Sequence, residues 1–332
     1  MKKFRVGLDN YCLFPKNMMP DELLTWASVN GAEGVAFSGF ETSIMDKFSI
    51  SYLHDVKQQA DALGLYIEWG GGQHVPMDLA NFTEKDIFDS NRKIVEKACA
   101  LDTRIVRSCS GGLMRWKRES PDTEFILEKT ATELKKQASL FRDNNVILSI
   151  ETHFEFTTFE LLRLFEMCGA EPDDWLGICL DTMNLLTMLE DPLSATDRVL
   201  PWIVSTHIKD GGILVKDKGI TTFPAPFGKG IINFEEIFTR LNSLDKEINL
   251  SVETHGGSFF LPVNDAWFLN RFPDLAPDEY NDLVTLAEIT TKKMKEGDLK
   301  MTEREDWPMI YEERTHYDIR NLKITRDGLN LT

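Results

Sequence analysis

Short apolar runs recur along the chain, and most are followed by a stretch whose apolar positions repeat with helical spacing. The runs predict strands at 4–8, 34–37, 65–69, 104–108, 146–151, 177–181, 203–208 and 248–253. The amphipathic stretches predict helices near 21–30, 52–63, 84–100, 123–143, 158–168, 192–200, 234–244 and 277–295. Several open on cap-like residues, such as Pro20-Asp21-Glu22 and Ser120-Pro121-Asp122. Strand and helix alternating through the whole region imply a parallel sheet with helical crossovers, an α/β class. Eight such units favour a closed (β/α)8 TIM barrel over an open doubly wound sheet. The open sheet also expects a Gly-rich phosphate turn after an early strand. The densest glycine run, Gly70-Gly71-Gly72, lacks that spacing and reads as a flexible loop.

Nothing in the composition marks a linker, so residues 1–297 are expected to form one barrel domain. From 298 to 332 the chain turns polar and charged, with Trp307, Tyr311 and Tyr317 interspersed. This predicts a C-terminal extension lying on the barrel exterior or on a partner subunit. Five cysteines without a CxxC pair suggest reduced thiols and a cytoplasmic location. No apolar stretch approaches the length of a membrane span, and Asp9-Asn10 interrupts the N-terminal region too early for a secretory signal. The net charge of −17 repels phosphate backbones and anionic lipid, which argues against nucleic acid and membrane partners.

The last four predicted strands end alike. Each apolar run closes on a metal-competent residue: Glu151, Asp181, His207 and Glu253. Strand ends are where a parallel barrel gathers its chemistry. Residues two apart share a face, and two positions before each candidate stand Ser149, Cys179, Ser205 and Ser251, all small. The flanking Leu148, Ile150, Ile178, Leu180, Val204, Leu250 and Val252 suit the helix-facing side. The four candidates should therefore point into the barrel above a layer of small side chains. One Glu at a strand end is commonly a loop or salt-bridge residue; four consecutive strands with matched parity are harder to dismiss. Three carboxylates cannot share an interior mouth ionised unless a cation compensates them. Three oxygen donors and one nitrogen suit one divalent ion, Mn2+ first, with Mg2+, Co2+ or Zn2+ compatible.

These strand ends, with Glu151-Thr152-His153, Asp181-Thr182-Met183-Asn184, His207-Ile208-Lys209-Asp210-Gly211 and the turn Gly228-Lys229-Gly230, resemble the xylose isomerase-like barrel superfamily. The similarity is to its sugar phosphate isomerase/epimerase branch, which includes ketose 3-epimerases and inosose dehydratases. It runs over roughly residues 4 to 295 and is strongest from 146 to 256. The resemblance implies that Glu151, Asp181, His207 and Glu253 are the metal ligands, and that Glu151 and Glu253 act as a base and acid pair. One departure stands out: ketose 3-epimerases usually carry a His where this chain has Asn184.

The chemistry expected is proton abstraction beside a carbonyl of a keto sugar or polyol derivative, by an isomerase or epimerase. His153, on the same face as Glu151 if the strand persists, is the competing base. Arg107, His74, Asn184, Lys209 and His255 are expected to bind substrate, and Glu68 with Trp69 to line the wall. Lys209 and Asp210 alternatively form a local ion pair, and Trp26 and Trp116 read as packing residues. A lyase of the same fold is the alternative. The length, the Glu-x-His pair and the tail loosely resemble the catalytic subunit of C-glycoside deglycosidases, which act on 3-keto glycosides and pair with a small second subunit. An inosose-type dehydratase is a further form. An apurinic-endonuclease-like nuclease would need more histidines and a basic face, and a non-catalytic sugar-binding barrel would bind without turnover. A homo-oligomer, or a hetero-oligomer with that small subunit, is expected. Trp267-Phe268-Leu269, in the loop after the last strand, is positioned to cover the mouth or a neighbour.

Overall fold

A computed structural model of the chain describes residues 4–330. The barrel strands are β1 (Phe4–Asp9), β2 (Gly34–Phe37), β3 (Tyr66–Gly72), β4 (Ile105–Ser108), β5 (Ile147–Glu151), β6 (Leu176–Asp181), β7 (Ile203–Ile208) and β10 (Ile248–Val252). They pair in parallel and close into one eight-stranded barrel, β10 returning to β1. Helices follow the strands as the periodicity predicts, with local punctuation. Thr157 and Glu160 form a capping box at the start of the helix Thr158–Cys168, and Asp191 caps Pro192–Val199. The helix expected over 123–143 is two, Thr123–Lys135 and Ala138–Asp143. Between them the buried Gln137 side chain accepts from Asn91 at 2.7 Å, which ties the break to the neighbouring helix.

Inside the barrel the predicted parity holds. The Ser149 and Ser205 hydroxyls meet at 2.8 Å, and Ser251 meets Tyr66 at 2.8 Å. Glu68 lies in this layer too, accepting from Asn249 at 2.8 Å. Around it Leu148, Ile150, Ile178, Leu180, Leu250 and Val252 are buried in the main hydrophobic core. Val204 departs from the pattern: a register shift between β6 and β7 sets it against Gly177, where a Cβ would meet its methyl groups. The glycine run is not a loop. Gly70-Gly71-Gly72 ends β3: a Cβ at Gly70 would collide with the Ser38 backbone, one at Gly72 with the Leu148 side chain, and Gly71 has a φ of +83°.

One feature lies outside the expected plan. A hairpin, β8 (Asp210–Lys216) and β9 (Gly219–Ala225), joins β11 (Phe259–Leu261) in a small antiparallel sheet beside the mouth. The helix Pro277–Glu296 packs on β8, where Ile213 N–H donates to Thr290 at 3.2 Å. The C-terminal extension forms the helix Trp307–Gly328, which packs along β1 and β10. Its buried Arg326 donates to the Phe4 carbonyl at 3.1 Å. No described helix is long and apolar enough to cross a membrane, and all five cysteines are free.

Candidate metal centre and active site

The strand ends bring Glu151, Asp181 and His207 together, with one donor atom from each within 4.8 Å of the others. All three are buried. Asp181 is oriented by its own backbone: Oδ1 accepts from the Met183 and Asn184 N–H groups at 3.0 and 2.9 Å. Oδ2 makes no hydrogen bond and faces the Lys209 ammonium at 2.9 Å. The His207 Nδ1 is also unpartnered and lies 3.4 Å from Glu151 Oε1. Buried polar atoms rarely stay unsatisfied, so donors converging in this way fit a cation. Hard carboxylate oxygens with one imidazole suit a divalent ion of the Mn2+ or Mg2+ kind.

Glu253, just past β10, stands at the edge of this group and pairs with Lys209. The Lys209 ammonium lies 2.9 Å from Asp181 Oδ2 and 3.4 Å from His255 Nε2. Lys209 is therefore buried among the carboxylates rather than paired with its neighbour Asp210. Asp210 instead accepts N–H bonds from Gly211, Gly228, Gly230 and Ile232 at 2.8, 2.9, 2.8 and 3.3 Å, which anchors the Gly-x-Gly turn.

Asp9, at the end of β1, is a site residue the sequence reading passed over. Its Oδ2 lies 3.5 Å from His207 Nε2 and accepts from Ser38. It belongs to the same design as the other strand ends, an apolar run closing on a carboxylate, and that signal was present in Phe4–Asp9. Arg107 pairs with Glu151, and Asn184 donates to Glu151 at 3.2 Å. His153 is held by Glu155, Nδ1 to Oε2 at 2.8 Å, and Glu155 also accepts from the Gly111 N–H. Cys109 lies close enough to make a second His/Cys/Glu group with these two.

Charge follows from these neighbours. Burial would raise Glu151, but the Arg107 guanidinium and His207 hold it well below the usual carboxylate range. Glu253 is drawn down to about 2 against its burial, chiefly by Lys209. Asp181 moves up to about 6, because burial and the carboxylates around it outweigh Lys209. Burial would lower His153, yet Cys109 and Glu155 raise it well above the ordinary imidazole value. His74 and His255 are pushed down to about 4 by burial.

Above these groups opens a cavity of about 650 Å3. Of the expected residues, Arg107, Glu151, His153, Asn184, Lys209, Glu253 and His255 line it, joined by Asp9, whereas Asp181, His207, His74, Glu68 and Trp69 do not. His74 is buried behind the wall, bonded to Ser108 at 2.8 Å, and Glu68 sits below in the barrel interior. Trp267-Phe268-Leu269 folds into the short helix Ala266–Leu269, whose buried Phe268 packs on Trp116. Trp116 in turn meets Phe154 of the cavity wall.

A 3-oxo-isoapionate decarboxylase of Pectobacterium atrosepticum is 24% identical over 257 residues, covering 75% of this chain and 84% of that protein. Among solved structures, a xylose isomerase-like TIM barrel protein from Mycobacterium smegmatis in complex with magnesium superposes with a TM-score of 0.60. It is 15% identical, over 82% of this chain and 98% of that one. D-psicose 3-epimerase from Clostridium cellulolyticum H10, with D-tagatose, gives 0.59 at 12% identity, over 86% and 99%. The sequence profile of xylose isomerase-like TIM barrels matches residues 24–270, which include β2 to β10 and every strand end of the cluster. The chain belongs to the xylose isomerase-like TIM barrel family.

Proposed function

We propose that this chain is a divalent-metal-dependent enzyme that abstracts a proton beside a carbonyl of a keto sugar or polyol derivative, in an isomerase or epimerase reaction. The observation that carries the reading is the buried cluster of Glu151, Asp181 and His207: Asp181 is fixed by two backbone N–H groups, and His207 Nδ1 has no hydrogen-bond partner and lies 3.4 Å from Glu151 Oε1. An ion held by Glu151, Asp181, His207 and Glu253 would supply Lewis-acid polarisation of the carbonyl. Glu151 and Glu253 line the cavity and serve as the base and acid that carry the proton from and to carbon. His153, the competing proton-transfer group, is fixed by Glu155, which with Cys109 favours its protonated form, so it serves as an acid to the substrate rather than a base. Arg107, Asn184, Lys209 and His255 surround the same space and orient substrate hydroxyls. Phe40, Leu113, Phe154 and Phe259 supply apolar walls that limit water around the reacting carbon.

The test is solvent deuterium exchange into a panel of keto sugars with Mn2+-loaded protein. Exchange in the wild type, reduced at least about 100-fold in Glu253→Gln, supports the proposal. Full exchange in that variant overturns the role of Glu253, and no exchange with any keto sugar counts against the reaction class.

A second reading is a lyase of the same fold, either a deglycosidase-type catalytic subunit acting on 3-keto glycosides or a dehydratase. Two observations favour it: Asn184 where ketose 3-epimerases carry a His, and the similarity to a named decarboxylase. Both reactions place negative charge beside a carbonyl, so one site serves either. Release of an aglycone or of water from the substrate, rather than simple exchange, would select the lyase.

A further inference from the structure

The cavity holds three strong cations, and their partners differ. Arg107 is committed to Glu151. Lys209 is committed to Asp181 and Glu253. Arg304, from the C-terminal extension, lines the cavity yet forms no ion pair among the described residues. It does so although Glu303, Glu305 and Asp306 flank it in a chain with 54 acidic and 37 basic residues.

The position of Arg304 is built rather than incidental. Leu299 and Trp307 on either side are buried and pin the segment between them. The Gly257 N–H donates to the Thr302 carbonyl at 2.9 Å, binding the segment to the turn that follows Glu253 and His255. At Gly256 a Cβ would collide with the Glu303 carbonyl, so the two backbones touch where only glycine fits. A Cβ at Gly257 would lie 3.5 Å from Arg304 Nε, which places the guanidinium stem along the rim. Ser258, next in the turn, is exposed and lines the same cavity.

We infer that Arg304, with the Gly257-Ser258 turn, forms an anion subsite at the rim, and that the substrate carries a carboxylate or phosphate at the end away from its reacting carbonyl. The inference rests on the proposed reading of the site for the position of that carbonyl. A planar guanidinium held on a rigid strap is suited to either oxyanion, which it can engage through paired N–H donors. In a strongly acidic protein, one unpaired cation at the mouth also selects for anionic ligands locally.

The probes are D-fructose, D-fructuronate and D-fructose 6-phosphate, which differ only at the terminal carbon, titrated calorimetrically into Mn2+-loaded full-length protein. The expected result is that at least one anionic probe binds at least about 10-fold tighter than D-fructose. Arg304→Gln should bring that preference to within about 2-fold, Arg304→Lys should keep part of it, and D-fructose binding should not change. Which anion is preferred distinguishes a sugar acid from a sugar phosphate. Because Arg304 is exposed, the variants should keep the wild-type melting temperature and metal content. Equal behaviour of charged and neutral probes, whether all bind or none does, overturns the inference, as does a preference that survives Arg304→Gln. Binding is read without turnover, so a failure here is distinct from absent deuterium exchange.

Discussion

Asp9 and His207 form a pair that decides which imidazole nitrogen faces the carboxylates. His207 Nε2 lies 3.5 Å from Asp9 Oδ2, which leaves Nδ1 toward Glu151. A carboxylate behind a ligand imidazole fixes its tautomer and raises its basicity. Asp9→Asn should therefore weaken Mn2+ binding about 10- to 100-fold with the fold retained, measured by titration calorimetry and circular dichroism. Unchanged affinity would make Asp9 a spectator. His74 carries a prediction of a different kind. Burial lowers it from its ordinary value to about 4, so the unfolded chain binds its proton more readily. Its contribution is complete above about pH 6.5 and is lost as pH falls toward 4, by up to about 3 kcal/mol. His74→Gln should flatten the urea-denaturation stability profile over that window; a parallel profile would refute the assignment. Neither residue's place could be read locally. Asp9 is one carboxylate in a polar pair, and only closure of β10 onto β1 brings its end beside His207.

The strand ends were legible because side-chain parity and burial act together over a few residues. Ser149, Ser205 and Ser251 point inward for the same reason that Glu151, His207 and Glu253 do. The β8–β9 hairpin was not legible: its alternation is short, and Asp210 gathers, besides the adjacent Gly211 N–H, three backbone N–H groups from a turn 18 to 22 residues away. Asp210 thereby holds Lys209 and the mouth-side sheet in place. Asp210→Ala would strand those donors in a buried setting, and we expect a loss of about 3–5 kcal/mol in urea denaturation. A loss below about 1 kcal/mol would show that water replaces the carboxylate easily. At Gly70-Gly71-Gly72 composition alone points to a loop, whereas the glycines answer to close packing against Ser38 and Leu148 and to the positive φ of Gly71. Such contacts have no local signature.

At the scale of the whole molecule, the C-terminal segment links the two ends of the barrel. Its start carries Arg304 to the mouth, and its end places the buried Arg326 on Phe4, at the opposite end of β1. In the sequence the segment stands out by its polarity alone, since a helix buried on one side and charged on the other suits several surfaces. A chain ending at residue 297 should lose cooperative thermal unfolding; a sharp transition near the wild-type temperature would show the extension to be dispensable. The same whole-molecule view sets the net charge of −17 against the dense carboxylate cluster, which the protein can hold ionised only with cations in place. The most direct measurement is metal content by elemental analysis, after equilibration with Mn2+, of wild type and Asp181→Asn. The account predicts one ion per chain in the wild type and its loss in the variant, with both proteins folded. No bound ion in the wild type, or an equal content in the two, would contradict it.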